Sequence, residues 1–271
     1  MSSAPTPADH PIVFENVSLL SDERPVLEDL SFALRRGETK VLFGVAGAGK
    51  TVILKLALGL IRPDSGRIYV LGQEITAMSE QEMFGLRRQI GMVFQESALF
   101  DSLTVEDNVA YRLIEEHVPE EQVRDRVTKA LSFVELAHTI ALFPSELSGG
   151  MRRRVAIARA IITEPELLLY DSPTGGLDPV TSTTIIELLV KQRDFYHTSA
   201  LLVTHRLPDA FTMATHVFDP AKNHMVPVAR DSGIDTNTSF LVLRDARKIF
   251  EGNAEELVNS PDPYLREYLR Q

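Results

Sequence analysis

The chain has 271 residues, 44% of them hydrophobic and 24% charged, so it can bury a sizeable core as one large domain or a domain with an inserted subdomain. Its longest apolar stretch, residues 52–61, contains Lys55 and is far shorter than the roughly 20 residues that cross a bilayer, so we expect no membrane-spanning segment. A formal net charge of -10 argues against broad attraction to nucleic acid, and the absence of cysteine excludes disulfides and thiolate metal sites.

The amino-terminal part predicts strands, then a loop and a helix. Residues 1–10 are polar, rich in Ser and Pro, and lack the apolar run of a secretory signal, so we expect a flexible tail and a cytoplasmic chain. Residues 11–20 and 26–34 have β-type apolar spacing around a turn-prone segment, which predicts antiparallel strands. A short β-type run at 40–43 enters a glycine-rich loop, and residues 50–60 carry apolar residues at helical spacing.

The rest of the chain alternates between helical and strand patterns, which is typical of an α/β fold with a largely parallel sheet. A polar region at 79–137 carries apolar residues about one helical turn apart and predicts a mostly helical subdomain. The other predicted strands lie at 67–71, 90–94, 167–171, 200–204 and within 217–249, and the other predicted helices follow Gly150, span 183–193 and begin near Ala254 and Pro261.

Residues 44–51 match the phosphate-loop pattern GxxxxGK[ST] between a predicted strand and a predicted helix. Glycines allow successive amide N–H groups to point at phosphate oxygens, and the helix start adds partial positive charge. We expect Lys50 to reach the β- and γ-phosphates and Thr51 to ligate Mg²⁺, the alternative being a glycine turn without a ligand. The predicted binding residues are Gly44, Val45, Ala46, Gly47, Ala48, Gly49, Lys50, Thr51 and Val52.

The apolar strand predicted at 167–171 ends in Asp171. Ligands of open α/β sheets bind beyond the carboxyl ends of the strands, where the phosphate loop also lies. We therefore predict that Asp171 holds Mg²⁺ through water beside this loop. The alternative for an aspartate after a strand is a helix cap or a turn residue.

Residues 147–154 read Leu-Ser-Gly-Gly-Met-Arg-Arg-Arg, and with this motif the chain resembles the ABC ATPase family over nearly its whole length. The resemblance implies that ATP and Mg²⁺ are cofactors, that ATP is hydrolysed, and that two subunits close around two ATP molecules. It also implies that Ser148, Gly149 and Gly150 contact the γ-phosphate held by the opposite subunit. The alternative makes Ser148 only a helix cap. Residues 152–154 favour a solvated face, or a contact with an acidic partner, over a nucleic-acid patch.

Further positions match other motifs of the family. Gln95 resembles the glutamine that senses Mg²⁺ and water, and His205 resembles the histidine that contacts the γ-phosphate. Residues 176–178 resemble the loop that crosses the subunit interface, which makes Asp178 a nucleotide-site residue. The implied Mg²⁺ ligands are Thr51, Gln95 and Asp171. The apolar residues Leu99, Phe100 and Leu103 lie in the segment that usually docks the membrane partner in the family, although apolar residues at such spacing belong to the core at least as often.

The implied fold is a P-loop NTPase cassette of the ABC type. It combines a largely parallel core sheet, an N-terminal antiparallel β subdomain and an inserted helical subdomain. The predicted division is a flexible tail at 1–10 and one ATP-binding domain at 11–271, with the helical subdomain at about 96–163 and the C-terminal strands and short helices at about 215–271.

Segments 96–113, 144–160 and 259–269 resemble the ATPases of the Mla and Mce lipid-transport systems. The resemblance implies phospholipid or another lipid as cargo and a position on the cytoplasmic face of the inner (cell) membrane. It implies as partners a second ATP-binding subunit, with a homodimer favoured over pairing with a different ATPase, membrane-spanning permease subunits and a lipid-binding Mce-type protein. Nucleic acid is not an expected partner.

The chain departs from the family at Ser172, where most members carry a glutamate that polarises the attacking water. A serine hydroxyl cannot act as a base near neutral pH, so we expect tight ATP binding with slow hydrolysis. Ser172 could be native or a replacement that traps the ATP-bound pair. The alternatives are a non-catalytic, nucleotide-gated subunit and a soluble ABC ATPase acting on nucleic acid. The catalytic positions are Ser172, His205 and Gln95.

A second departure is Ser21, near the place where the family stacks an aromatic ring on adenine. Leu20 and Phe14 are the candidate substitutes. Loss of the stacked ring would weaken binding by about 1–3 kcal/mol and loosen the preference for adenine.

Overall fold

The computed structural model describes residues 7–45, 47–229 and 235–270. Of the predicted tail, residues 1–6 lie outside the described residues, and Pro7–Asp9 forms a 3-10 turn before the first strand. The strands are β1 (Ile12–Ser21), β2 (Arg24–Leu34), β3 (Thr39–Gly44), β4 (Ser65–Val70), β5 (Gln73–Glu74), β6 (Ile90–Val93), β7 (Leu167–Asp171), β8 (Ser199–Val203), β9 (His216–Asp219), β10 (His224–Pro227), β11 (Thr238–Arg244) and β12 (Arg247–Gly252). The helices are α1 (Lys50–Ala57), α2 (Glu80–Arg87), α3 (Val105–Glu115), α4 (Glu120–Phe133), α5 (Gly149–Ile161), α6 (Pro179–Tyr196), α7 (Leu207–Thr215), α8 (Ala254–Val258) and α9 (Pro263–Tyr268).

A four-stranded antiparallel sheet, in the order β2-β1-β4-β5, forms the amino-terminal layer. β1 and β2 make a hairpin in which Ser21 pairs with Arg24. The two turn residues between them, Asp22 and Glu23, have φ of 49° and 61°, the signs that a two-residue hairpin turn needs to match the twist of its strands. The apolar side of this sheet packs over α1.

The core sheet has six strands in the order β12-β11-β3-β8-β7-β6. From β11 to β6 all neighbours pair in parallel, and β12 pairs with β11 in the antiparallel sense. Every residue of β3, β7 and β8 is buried, as expected for parallel strands covered on both faces. Leu241 of β11 lies opposite Leu42 of β3, so β11 and β12 complete the core sheet, whereas β9 and β10, also within the predicted range 217–249, form a separate two-stranded antiparallel sheet.

Alternate residues of the core strands point to opposite faces of the sheet and pack in two hydrophobic clusters, one on each face. Phe43, Leu168 and Leu202 belong to the cluster that also holds the inner faces of α3, α4 and α5. Leu42 and Leu169 belong to the cluster beneath the antiparallel sheet and α1. The core sheet is therefore clamped between a mainly helical layer and a mainly β layer.

The helical layer is built from α3, α4 and α5, which pack against one another. Thr104 caps α3, with its side chain accepting from the Asp107 N–H at 3.1 Å. The buried Asn108 donates to the carbonyls of Phe100, Leu103 and Thr104 and so shapes the loop before α3. In the described ranges, none of the helices is both long and apolar enough to cross a bilayer.

A buried polar network fastens the carboxy-terminal hairpin to β3. The Lys40 ammonium lies 3.4 Å from Glu38, 2.9 Å from Glu251 and 2.9 Å from the Ser239 hydroxyl. Burial raises the pKa of the Glu38 carboxyl, but Lys40 and the hydrogen bond from Ser239 lower it further, so its pKa falls below the ordinary value. Lys40 is therefore a compensated charge that joins β3, β11 and β12.

Candidate functional site

Four neighbouring parallel strands bring the predicted site residues to one edge of the core sheet. The register pairs Leu42 of β3 with Val203 of β8, and Val203 with Asp171 of β7. The phosphate loop follows β3, His205 lies two residues beyond β8, and Gln95 lies two residues beyond β6. Because all four strands point the same way, these segments form a row at their carboxyl ends.

The phosphate loop runs from β3 into α1 through a left-handed residue. Gly49 precedes α1 with φ of 84°, and a side chain there would also meet the Val26 carbonyl oxygen 2.8 Å away. Glycine is required at this position for both reasons. Ala46, one of the predicted binding residues, lies outside the described residues. Val45 and Gly47 are exposed at the loop tip, whereas Gly44, Ala48 and Gly49 are buried.

The Lys50 side chain folds back onto the start of the phosphate loop. It is only 8% exposed, and Nζ donates to the carbonyl oxygens of Gly44 at 2.8 Å and Val45 at 2.9 Å. Burial lowers the pKa of the ammonium, and the negative charge of Asp171 opposes that effect. The cation thus faces two neutral acceptors that an anion at the loop can replace.

Thr51 and Asp171 meet beside Lys50. The Thr51 hydroxyl donates to Asp171 Oδ1 at 3.2 Å, and the Ser172 hydroxyl lies 3.5 Å from the same oxygen. Asp171 belongs to β7 and is buried, so it is neither a helix cap nor a turn residue. Hydroxyl and carboxylate oxygens are the donors that Mg²⁺ prefers, and Mg²⁺ is usually held by one or two such groups together with substrate phosphates.

The main chain of Ser172 is fixed from both sides. Its N–H donates to the Val203 carbonyl at 2.9 Å, and its carbonyl accepts from the Gly175 N–H at 2.9 Å. The residue is left-handed, with φ of 47°. The backbone therefore determines where a side chain at 172 points, and the chain presents a hydroxyl there instead of a carboxylate.

Gln95 and His205 are both exposed at the same edge. The Gln95 carbonyl accepts a hydrogen bond from Arg153, and its side chain lies against Gly175. His205 follows Thr204, whose N–H donates to the Leu42 carbonyl of β3. Both residues thus flank the Lys50 and Asp171 cluster from neighbouring strands.

The segment Ser148–Gly150 starts α5. The Ser148 hydroxyl accepts from the Met151 N–H at 3.2 Å, so Ser148 is a helix cap whatever else it contacts. A side chain on Gly150 would lie 2.4 Å from the Thr181 methyl of α6, which makes glycine necessary for the close approach of the two helices. Within one chain this segment packs on α6.

Asp178 caps α6. Its side chain accepts from the N–H groups of Val180 and Thr181, both at 3.0 Å. The hydrogen bond from the Thr181 hydroxyl is the main reason that the pKa of this carboxyl is lowered. Within one chain the carboxylate is therefore engaged at the helix start.

Two sequence-based interpretations were wrong. The run 152–154 was interpreted as a solvated face, but its middle residue Arg153 is 4% exposed and donates to the main chains of Ser172 and Gln95. Arg152 and Arg154 are partly exposed. Phe14 cannot stack on a nucleobase, because it is 1% exposed and stacks on Phe32 in the core. Leu20 remains exposed beside Ser21.

Sequence reasoning also missed Tyr268. Its hydroxyl, on α9, lies 3.5 Å from the Gly44 carbonyl oxygen, so the carboxy-terminal helix touches the phosphate loop. The two residues are 224 positions apart, and no local pattern connects them. For Arg153 a signal existed, because it shares a helical face with the buried residues Ile157 and Ala160.

The family model described as ABC transporter matches residues 27–175, more than half of the chain. The chain belongs to the ABC transporter family. Membership makes it an ABC-type ATPase with ATP as its nucleotide. The matched range includes the phosphate loop, Ser148–Gly150, Asp171 and Ser172.

Curated ABC relatives match most of the chain. It is 31% identical to the intermembrane phospholipid transport system ATP-binding protein MlaF of Haemophilus influenzae, over 96% of this chain and 90% of that protein. It is 33% identical to MlaF of Escherichia coli K12, over 94% of this chain and 86% of that protein. The methionine import ATP-binding protein MetN 2 of Bacillus cereus is 40% identical, but the match covers 72% of this chain and 59% of that protein.

Solved ABC cassettes share the fold. The dimeric structure of MJ0796, a bacterial ABC transporter cassette, superposes with a TM-score of 0.74 at 27% identity and covers 89% of this chain and 98% of that one. The cbiO1 structure from Clostridium perfringens gives a TM-score of 0.75 at 26% identity and covers 97% and 100% of the two chains. The predicted α/β cassette fold, with its largely parallel core sheet and antiparallel layer, is confirmed.

Proposed function

We propose that this ABC ATPase powers a phospholipid transporter. One observation carries the proposal: the match to two phospholipid-transport ATPases extends over at least 94% of this chain and at least 86% of theirs. The methionine-import relative is more identical, at 40%, but shares only 59% of its length. Methionine import is therefore the second candidate.

The proposed nucleotide chemistry follows from the site. Lys50 Nζ exchanges the Gly44 and Val45 carbonyls for phosphate oxygens, while Thr51 and Asp171 supply oxygens for Mg²⁺, with Asp171 acting through water. The chemistry that Mg²⁺ would supply, held by these oxygens, is partial neutralisation of the phosphate charge. Gln95 and His205 face the γ-phosphate side from neighbouring strands.

The proposed working unit is a pair of these chains. Ser148, Gly149 and Gly150 begin a helix, whose free N–H groups favour an anion, and the proposed anion is the γ-phosphate held by the partner. Asp178 accepts a hydrogen bond from Thr181, the residue that lies against Gly150, and is proposed to take part in the same interface. A homodimer places two Ser172 residues in two equivalent sites.

Membrane attachment is proposed to run through partner subunits. Phe100 is 43% exposed on the loop that Asn108 shapes, next to Leu99 and Leu103, and this patch suits a permease helix. The proposed location is the cytoplasmic face of the cell membrane. A lipid-binding Mce-type protein is the proposed carrier of the cargo.

Ser172 is proposed to limit the rate of ATP hydrolysis. General-base catalysis is worth about 10²–10⁴-fold, and the hydroxyl beside Asp171 supplies none near neutral pH. Binding does not depend on this residue, because the groups proposed to hold the phosphates and Mg²⁺ are Lys50, Thr51 and Asp171. We expect ATP to stay bound for long periods between slow turnovers.

The test is transport by the membrane complex that purifies with this chain, reconstituted in liposomes. ATP-dependent transfer of a fluorescent phospholipid between vesicles is expected, together with no uptake of radiolabelled methionine. Lys50→Met is the control that should abolish transfer. Methionine uptake without lipid transfer would reject the lipid assignment in favour of the second candidate.

A further inference from the structure

Arg153 is a buried cation without a buried anion. Its side chain is 4% exposed, and no carboxylate in the described ranges lies within ion-pair distance of it. Glu96 is the acid that favours its charge from a distance, while burial lowers the pKa of the guanidinium. A buried charge without an ion-pair partner lowers stability. Stabilisation of the fold therefore does not explain why an arginine occupies position 153.

The two acceptors of Arg153 lie just beyond the carboxyl ends of two paired strands, β6 and β7. Nη1 donates to the Ser172 carbonyl at 3.1 Å, and Nη2 donates to the Gln95 carbonyl. The ladder between β6 and β7 ends where Val93 pairs with Tyr170. Beyond that pair, the guanidinium connects the two segments in place of main-chain hydrogen bonds.

Arginine suits this task better than any other side chain. Its donors lie in a rigid planar fork, so two acceptors bound to one guanidinium are held at a fixed separation. The two acceptors here belong to Ser172 and Gln95, which occupy the catalytic positions proposed above. Because other hydrogen bonds already hold the main chain of Ser172, the fork places the main chain of Gln95 relative to it, and with that the Gln95 side chain.

We propose that Arg153 is a positioning residue for ATP hydrolysis, which holds the main chains of Gln95 and Ser172 in register across the γ-phosphate side of the site. The proposal rests on the roles proposed for those two residues. It requires no contact between Arg153 and the nucleotide. Loss of the fork should therefore slow the chemical step and leave ATP affinity nearly unchanged.

The test compares Arg153→Met, Arg153→Lys and Arg153→Gln with the native chain in steady-state and single-turnover release of γ-phosphate. Arg153→Met should lower kcat on the order of 10- to 100-fold, as misplacement of catalytic groups does, with KM for ATP within about threefold. Arg153→Lys and Arg153→Gln should recover part of the loss, because each keeps a donor without the fork.

Arg193→Met is the matched control. Arg193 is also 4% exposed and also donates to main-chain carbonyls, those of Met213 and His216. It also donates to the Thr238 hydroxyl at the start of β11, which is the end of the core sheet opposite the site. Arg193→Met should lower the midpoint of thermal unfolding and leave kcat per folded subunit unchanged. If native turnover is too slow to follow, the same comparison in the Ser172→Glu chain serves, because that substitution keeps the carbonyl at 172.

The outcomes separate the proposals. Equal kcat values for Arg153→Met and the native chain, or equal losses in Arg153→Met and Arg193→Met, would overturn the positioning role. If Arg153→Met does not fold, kcat values of Arg153→Lys and Arg153→Gln equal to native would overturn it instead. A chain that hydrolyses ATP but moves no lipid would reject the transport proposal and leave the role of Arg153 in place.

Discussion

Ser172 shows how strongly a main chain can dictate the place of a functional group. Hydrogen bonds to Val203 and Gly175 fix the residue in a left-handed conformation one position beyond β7. A longer side chain built on the same backbone starts from the same Cβ and leaves in the same direction. A glutamate at position 172 would therefore extend from the backbone in the direction that the Ser172 side chain takes.

Ser172→Glu should raise the rate of ATP hydrolysis by about 10²–10⁴-fold, the usual value of a general base. Steady-state phosphate release by the assembled complex measures the gain. Ser172→Gln is the control, since it has the same length and no basic oxygen, and it should stay near the native rate. Equal rates for the native and glutamate chains would mean that another group polarises the water.

At the residue scale, the predictable positions were those fixed by contiguous motifs. The phosphate-loop residues and Asp171 follow from local patterns whose chemistry needs neighbouring residues, and the fold brings them together at one sheet edge. Arg153 and Phe14 were misjudged because burial depends on the packing partners. A run of three arginines suggests a solvent-exposed surface, and only the helical face on which the middle arginine lies shows that it is buried.

Helices α5 and α6 approach so closely at Gly150 that the contact leaves no room for a side chain larger than the hydrogen of glycine. The Thr181 methyl occupies the space where a side chain would begin, and the Thr181 hydroxyl is already bonded to Asp178. The helix that starts at Ser148 is thereby seated against the start of α6.

Gly150→Ala should lower the free energy of unfolding by about 1–2 kcal/mol, because the overlap with Thr181 outweighs the gain of up to about 1 kcal/mol in helix propensity. Thr181→Ser removes the methyl and keeps the hydroxyl, so the double variant should regain native stability. Urea denaturation measures all three. Gly149→Ala, whose new methyl would lie 3.6 Å from Leu177, should be tolerated, and a loss equal to that of Gly150→Ala would refute the packing argument.

At the element scale, the buried strands were predictable because parallel strands covered on both faces carry near-continuous apolar runs, such as residues 167–169 of β7 and 200–203 of β8. The order of the strands in the sheet was not predictable. A strand pattern does not say which neighbour it will have, so nothing local reveals that β11 inserts beside β3. The same limit hid the contact of α9 with the phosphate loop, which joins opposite ends of the chain.

The whole molecule is proposed to act as one half of an ATP-bound pair. The proposed slow hydrolysis would favour accumulation of that pair, because ATP would be consumed slowly once the two chains have closed. The interface should depend on Ser148, which caps its own helix and is proposed to contact the phosphate of the partner.

Ser148→Asp should prevent ATP-dependent pairing without unfolding the chain. Aspartate caps helices as well as serine, so α5 should keep its start, but its charge faces the γ-phosphate of the partner. Ser148→Asn has the same shape without the charge and should still pair. Sedimentation velocity with ATP and Mg²⁺ measures this, and pairing of the aspartate variant at native strength would contradict the proposed interface.

The position of β3 links the site to the end of the chain. β3 carries the phosphate loop, yet one of its two neighbours in the sheet is β11, held there in part by Lys40 through Ser239 and Glu251. During synthesis at about 5–20 residues per second, β11 follows β3 by roughly 10–40 s. Until then β3 has an open edge that can pair with another chain. A nascent chain thus contains every nucleotide-binding motif before its core sheet is complete. A chain truncated before residue 238 would keep all of these motifs and would be prone to aggregation.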